Sequence, residues 1–100
     1  MEKRVPHHDL AAILSLVART GAAAFTKTAL DNGRDMGLTT REMLDVIARL
    51  KRSNFYKSMT TFADSRTWQD VYLARTPAGS DAYIKFTLRD HAPVIQFKER

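Results

Sequence analysis

Three lysines, a tyrosine and a glutamine are the side chains of this sequence best suited to chemistry: Lys57, Lys85, Lys98, Tyr83 and Gln69. Lysine ammonium groups bind phosphate and stabilise charge that develops on it. A phenol can share that task, or move a proton where its pKa is shifted. A carboxamide can orient a ribose hydroxyl or a base edge. Two of these residues lie in the densest stretch of the chain, Asn54 to Tyr72, which reads N-F-Y-K-S-M-T-T-F-A-D-S-R-T-W-Q-D-V-Y. Aromatic rings interleaved with cations and hydroxyls suit a surface that stacks bases and holds phosphates.

The positions of these side chains follow from a period of two after Ser53. The pattern predicts strands over Phe55–Phe62, Thr67–Arg75, Ala82–Arg89 and Pro93–Lys98, joined by short turns as an antiparallel meander. Ala82, Ile84, Phe86 and Leu88 share one face, and Tyr83, Lys85, Thr87 and Arg89 the other. Ile95 and Phe97 point inward, so Gln96 and Lys98 point outward. Lys57 and Met59 share a parity, and the cost of burying an ammonium puts Lys57 outward. The face of Gln69 stays open at this point. One uncovered sheet face is thus expected to collect Lys57, Met59, Tyr83, Lys85, Gln96 and Lys98. The same alternation also describes an ordinary solvated face, where Lys and Thr are common. Phe55, Phe62, Trp68 and Phe86 are assigned to the core for the area they can bury; Tyr56 and Tyr72 are assigned to neither side.

The first half reads as helical. A helix is predicted over residues 8–19, with Asp9 or His8 as its cap and Gly21 after its end. Ala22 to Phe25 reads as a short extended connection. A second helix covers Thr26 to Met36, weakened by Asn32-Gly33 and followed by Gly37 as a C′ residue. The third begins at a capping box, Thr39-Thr40-Arg41-Glu42, and carries Met43, Val46, Ile47 and Leu50 on one face. Lys51 and Arg52 are placed at its end, where cations complement the helix dipole. Helices followed by strands predict an α+β domain, with about three helices packed on one face of a single sheet.

The 100 residues bound the answer to one domain, residues 1–100. A net charge of +5, from 16 Lys+Arg against 11 Asp+Glu, is compatible with a nucleic-acid partner. There are no cysteines, which excludes disulfides and thiolate metal sites. His7 and His8 are adjacent, so their side chains are expected to diverge, and His91 falls in a turn. Neither a histidine-based nuclease nor a zinc site follows from them. Asp64 and Asp70 do not make a two-metal pattern, the glycines form no phosphate loop, and no serine has a nucleophile-elbow context. Neither a signal peptide nor a membrane-spanning stretch is apparent, so a cytoplasmic protein without metal or other cofactor is expected.

Four blocks carry a resemblance: M-E-K-R-V-P-H at the start, N-F-Y-K-S-M-T-T at Asn54–Thr61, W-Q-D-V-Y at Trp68–Tyr72, and F-K-E-R at the end. With them the chain resembles the MqsR (motility quorum-sensing regulator) family of type II toxins over nearly its whole length. The resemblance implies a RelE-like α+β fold. It also implies a sequence-selective mRNA endoribonuclease that works without a ribosome and cuts near GC-containing triplets. Its partner would be a zinc-binding helix-turn-helix antitoxin, through which alone it would meet DNA. The family's catalytic positions fall on Lys57, Gln69, Tyr83 and Lys98, with Met59 and Arg75 nearby; Lys85 joins Met59 and Arg75 as an RNA-binding candidate. An arginine found in the family after V-Y is Leu73 here, and a histidine near the last turn is replaced by Asp90. The expected reaction is attack of a ribose 2′-hydroxyl on its own phosphodiester, without a metal. A non-catalytic co-regulator acting with the antitoxin and a ribosome-dependent nuclease are the alternatives.

Overall fold

A computed structural model describes residues 1–100. Its elements run β1 (Glu2–Lys3), α1 (Leu10–Thr20), α2 (Lys27–Asp35), α3 (Thr40–Ala48), β2 (Phe55–Thr60), β3 (Trp68–Arg75), β4 (Asp81–Arg89) and β5 (Ala92–Glu99). The five strands form one antiparallel sheet in the order β1-β2-β3-β4-β5. The α+β expectation holds, and the predicted meander is β2 to β5. The two-residue edge strand β1 is an addition that no local pattern announces.

The helices begin where side chains satisfy their first amides. Asp9 accepts from the Ala12 amide, Thr26 from Ala29, and Thr39 from Glu42, while Glu42 returns a bond to the Thr39 amide. Two local expectations are corrected. Gly21–Ala24 is a 3₁₀ turn rather than an extended link, because it must turn the chain to bring Phe25 beside Ile95. Lys51 and Arg52 lie beyond α3, which stops at Ala48; Arg52 opens a second 3₁₀ turn instead. Gly33 lies tight against Met43: a Cβ there would come within 2.7 Å of its Cε, so the end of that side chain would have to shift.

The core lies between the helices and one face of the sheet. Ile13, Val17, Ala29, Met43 and Ile47 meet Tyr72, Ala82, Ile84, Phe86, Ile95 and Phe97. Phe86 is core as expected, and Phe55 packs against its edge. Phe62 is a correction: it is fully exposed, because β2 ends at Thr60 and Phe62 sits in the turn that Thr61 and Asp64 close. Asp90 and His91 both adopt positive φ, 52° and 65°, and join β4 to β5 as a two-residue hairpin turn.

Asp70 ties the N-terminal segment to this layer. It is 1% exposed and accepts three hydrogen bonds: the Ser58 hydroxyl at 2.6 Å, the His7 amide at 3.0 Å and the His8 amide at 2.8 Å. His7 stacks on Trp68, and the Lys3 ammonium lies 4.2 Å from the same ring's centre. The His7 and His8 rings do not diverge as expected. The Asp70 carboxylate gathers their backbone, leaving the ring centres 4.9 Å apart in an edge-on arrangement. Burial, then Lys3, holds the His7 pKa below its ordinary value, so neutral His7 accepts from Lys3 at 2.9 Å. Replacing Asp70 with Ala leaves the part-buried His7 and His8 amides without their acceptor, while the Ser58 hydroxyl keeps a longer bond to the Gln69 carbonyl at 3.4 Å. Asp70→Ala should therefore lower the urea-unfolding free energy by about 1–3 kcal/mol, with faster hydrogen exchange at the His7 and His8 amides.

Candidate functional site

The face of the sheet away from the helices is the candidate site, and strand register defines it row by row. Lys57, Val71, Lys85 and Gln96 stand side by side across four strands. Leu73, Tyr83 and Lys98 form the next row. Met59 and Gln69 are paired on the other side, and the Gln69 amide donates to the Thr87 hydroxyl at 3.2 Å. That bond places Gln69 on the open face, the point the sequence pattern left undecided. Adjacent strands lie about 4.8 Å apart, so Lys57 and Lys85, two strands apart, have backbones about 10 Å from each other.

A bulge makes this arrangement possible. Phe55 and Lys57 share a parity, yet one must be buried and the other solvated. The register shifts between them, so Phe55 pairs with Tyr72 on the core face and Lys57 with Val71 on the open face. Tyr72, fully buried, stays on the core side, where burial and then Asp70 push its phenol up to about 12.

The three lysines differ in their surroundings. The Lys57 side chain is 20% exposed and its ammonium lies 2.9 Å from a Glu2 carboxylate oxygen. That hydrogen bond, against the opposing effect of burial, holds the Lys57 pKa above its ordinary value. Lys85 is the reverse case: burial first, then the Lys98 and Lys57 charges, hold its pKa below the ordinary lysine value. Lys98 sits opposite Tyr83, with its ammonium 5.1 Å from the ring centre. Two shallow concavities flank this row. One, of about 390 Å³, is bordered by Tyr83, Lys98 and the start of α2. The other, of about 420 Å³, is bordered by Gln69, Thr87, Arg89 and Asp64. Lys85 and Gln96 border both, and so form the ridge between them.

Lys57, Gln69, Tyr83, Lys85 and Lys98 are thus brought together on one face, with Met59 at its margin. Arg75 is not brought in. It ends β3 beyond the Tyr83 row, 3.6 Å from Asp81, and borders a separate groove with Asp45 and Arg49. Glu2 is the residue that pattern reading missed; it arrives on β1, and only the opening M-E-K-R block hinted at it. No three His, Cys, Asp or Glu side chains converge as metal ligands, and no helix is long and apolar enough to cross a membrane.

Helices on one side and a cationic, polar surface on the other define an α+β protein whose single open sheet face gathers three lysines, a tyrosine and a glutamine. The chain belongs to the family described as motility quorum-sensing regulator, toxin of MqsA, whose model matches residues 5–99. It is also 42% identical over 100 residues to the mRNA interferase toxin MqsR of Escherichia coli (strain K12), a match that covers 100% of both chains.

The opposite pKa shifts predict the order in which the site loses its protons. As pH rises, Lys85 should deprotonate before Lys57, as read by NMR of the lysine side-chain nitrogens. In Glu2→Gln the Lys57 midpoint should fall. A parent chain in which Lys57 titrates first would contradict the geometry.

Proposed function

We propose that the protein is an mRNA endoribonuclease, the toxin partner of an antitoxin, and that the open sheet face is its active site. The observation that carries this reading is the grouping of Lys57, Lys85 and Lys98 with Tyr83 and Gln69 on one surface. The family and the name of the Escherichia coli relative support it. In this reading the toxin acts in the cytoplasm on free mRNA, independently of the ribosome, near GC-containing triplets. Its cognate antitoxin holds zinc and a helix-turn-helix, and DNA is reached only through that partner.

The reaction we assign is internal transesterification. The ribose 2′-hydroxyl attacks the adjacent phosphorus, the bond to the 5′-oxygen breaks, and the products are a 2′,3′-cyclic phosphate and a 5′-hydroxyl. Lys57 and Lys98 stabilise the charge that builds on the phosphoryl oxygens. Lys57 suits this role because Glu2 keeps it protonated. Lys85 suits a different one. A base must be neutral to accept the 2′-proton, and Lys85 is the lysine whose ammonium is disfavoured by burial and then by its cationic neighbours. The Tyr83 hydroxyl supplies the proton to the leaving 5′-oxygen. Gln69, its amide nitrogen engaged by Thr87, offers its carbonyl oxygen to a ribose hydroxyl or base edge.

Lys57→Ala should abolish detectable cleavage of purified mRNA while leaving the thermal transition and antitoxin binding in place. Cleavage should survive EDTA, and a single 2′-deoxy nucleotide at the scissile position should block it. RNA that is bound but never cut would point to a non-catalytic co-regulator instead. RNA cut only during translation would point to a ribosome-dependent nuclease.

Lys85 supplies a pH test. Because its pKa is depressed, its neutral fraction grows as pH rises below the ordinary lysine range. The cleavage rate should therefore climb with pH and fall again once Lys57 loses its charge. Lys85→Arg keeps the cation but cannot release its proton, so it should slow cleavage by about 10²–10⁴-fold and remove the climb. A Lys85→Arg enzyme of parental rate would return Lys85 to simple phosphate binding.

A further inference from the structure

The cleft between α2 and the open face has a wall that the proposed chemistry does not use. Its floor holds Tyr83, Lys85 and Lys98, while Thr28 and Asn32 of α2 stand on its other side. The start of α2 is fixed there by two ties to β5. The Thr26 amide donates to the Ile95 carbonyl at 3.1 Å, and the Asn32 amide nitrogen donates to the Phe97 carbonyl at 3.0 Å. The helix therefore rises beside the edge of β5 and extends the surface past Lys98.

The second tie has a chemical consequence. A backbone carbonyl only accepts, so the NH₂ of Asn32 must face Phe97 and its Oδ1 must point elsewhere. No protein group donates to that oxygen. The Thr28 hydroxyl is likewise unengaged, whereas the Thr26 hydroxyl is occupied as the helix cap. A volume of about 390 Å³ lies within the range of small-ligand pockets. The cleft is thus bordered by cations at one side, suited to a phosphate, and at the other by Asn32, whose Oδ1 is left unengaged, and by the free Thr28 hydroxyl.

We propose that this cleft is a nucleobase subsite, resting on the RNA-cleaving reading above, in which Asn32 Oδ1 accepts from the exocyclic amino group of the base beside the scissile phosphate. Thr28 adds a second polar contact at the mouth. Adenine, cytosine and guanine each carry an amino group and uracil carries none. Uracil presents a carbonyl oxygen where adenine and cytosine present their amino donor, and two facing acceptors leave both unpaired. The subsite therefore selects against uracil at one position flanking the cut. Lys98 holds the adjoining phosphate, which fixes which nucleotide enters.

The test uses the full-length purified chain and a pool of short RNAs of random sequence, with the cut ends mapped by sequencing. The parent chain should deplete uracil at one flanking position. In Asn32→Ala that discrimination should weaken by about tenfold, the scale of one good base contact. Thr28→Val, which alters an exposed hydroxyl and leaves the Phe97 tie in place, should weaken it in the same direction. It also carries the test alone if Asn32→Ala lowers the thermal transition. A base preference unchanged in both variants, or in Thr28→Val where Asn32→Ala does not fold, overturns the subsite, as does a parent chain with no bias against uracil. The same pool with 2′-O-methyl riboses is selected by binding, and its base preference is read identically. A parent chain that binds with that bias but cuts no RNA would overturn the nuclease reading and leave the subsite standing.

Discussion

Everything placed on the open face depends on the sheet being covered from one side only. A strand turns alternate side chains to opposite faces, so a sheet with helices on one face must be apolar there and is free to be polar on the other. Ile84, Phe86, Ile95 and Phe97 meet that demand in full burial. Their intervening neighbours, Tyr83, Lys85, Gln96 and Lys98, are then held at strand spacing without any packing decision of their own. A rigid core thus positions these side chains from behind, and this is a more exact support than a loop would provide.

Alternation alone would fail at β2, and the way it is rescued links the core to the site. A regular strand would carry Phe55 and Lys57 to the same face, burying an ammonium or exposing a ring. The bulge between them adds one residue and reverses the parity, so both side chains reach suitable surroundings. The edge strand β1 then fastens this part of β2 from outside. It is only two residues long, and hydrogen bonding of that extent holds little by itself. Its anchor is Asp70, a buried carboxylate on the core face that collects two backbone amides from His7 and His8. An interaction on the covered side of the sheet therefore delivers Glu2 to Lys57 on the open side.

This architecture explains which parts were readable in the sequence. The strands from Phe55 onward, the capping box at Thr39 and the inward set of β4 follow from periodicity and local hydrogen bonding, both visible in residue order. The outward set followed with them, because fixing one face fixes the other. Gln69 was not readable: its neighbours Trp68 and Asp70 are one aromatic and one acid, and the side is decided by long-range contacts, the buried hydrogen bonds of Asp70 and the bond from Gln69 to Thr87. Glu2 was not readable either, since its position rests on a contact between residues more than sixty apart in the chain, Asp70 with His7 and His8. Phe62 misled for the opposite reason. Its type fits a strand, but the Thr61–Asp64 turn ends the strand before it. Arg75 has the right type and parity, yet the face it belongs to has ended by the row it occupies.

Three lysines on one small surface raise the question of how their charges coexist. Each ammonium disfavours the others, and the cost is greatest for the one most enclosed. The site distributes that cost unevenly. Lys57 has its own counter-ion in Glu2, and Lys98 reaches outward over the Tyr83 ring. Lys85, in the middle and partly enclosed, has neither, so the strain falls on it. A phosphodiester laid across the ridge would supply the missing negative charge and favour the protonated form of Lys85. In the proposed reaction, substrate binding and proton acceptance by Lys85 would thus oppose each other. A face that grips phosphate more tightly would hold its central lysine more firmly as a cation. In that reaction the Glu2–Lys57 pair would moderate the grip, because it partly neutralises one of the cations in the free protein.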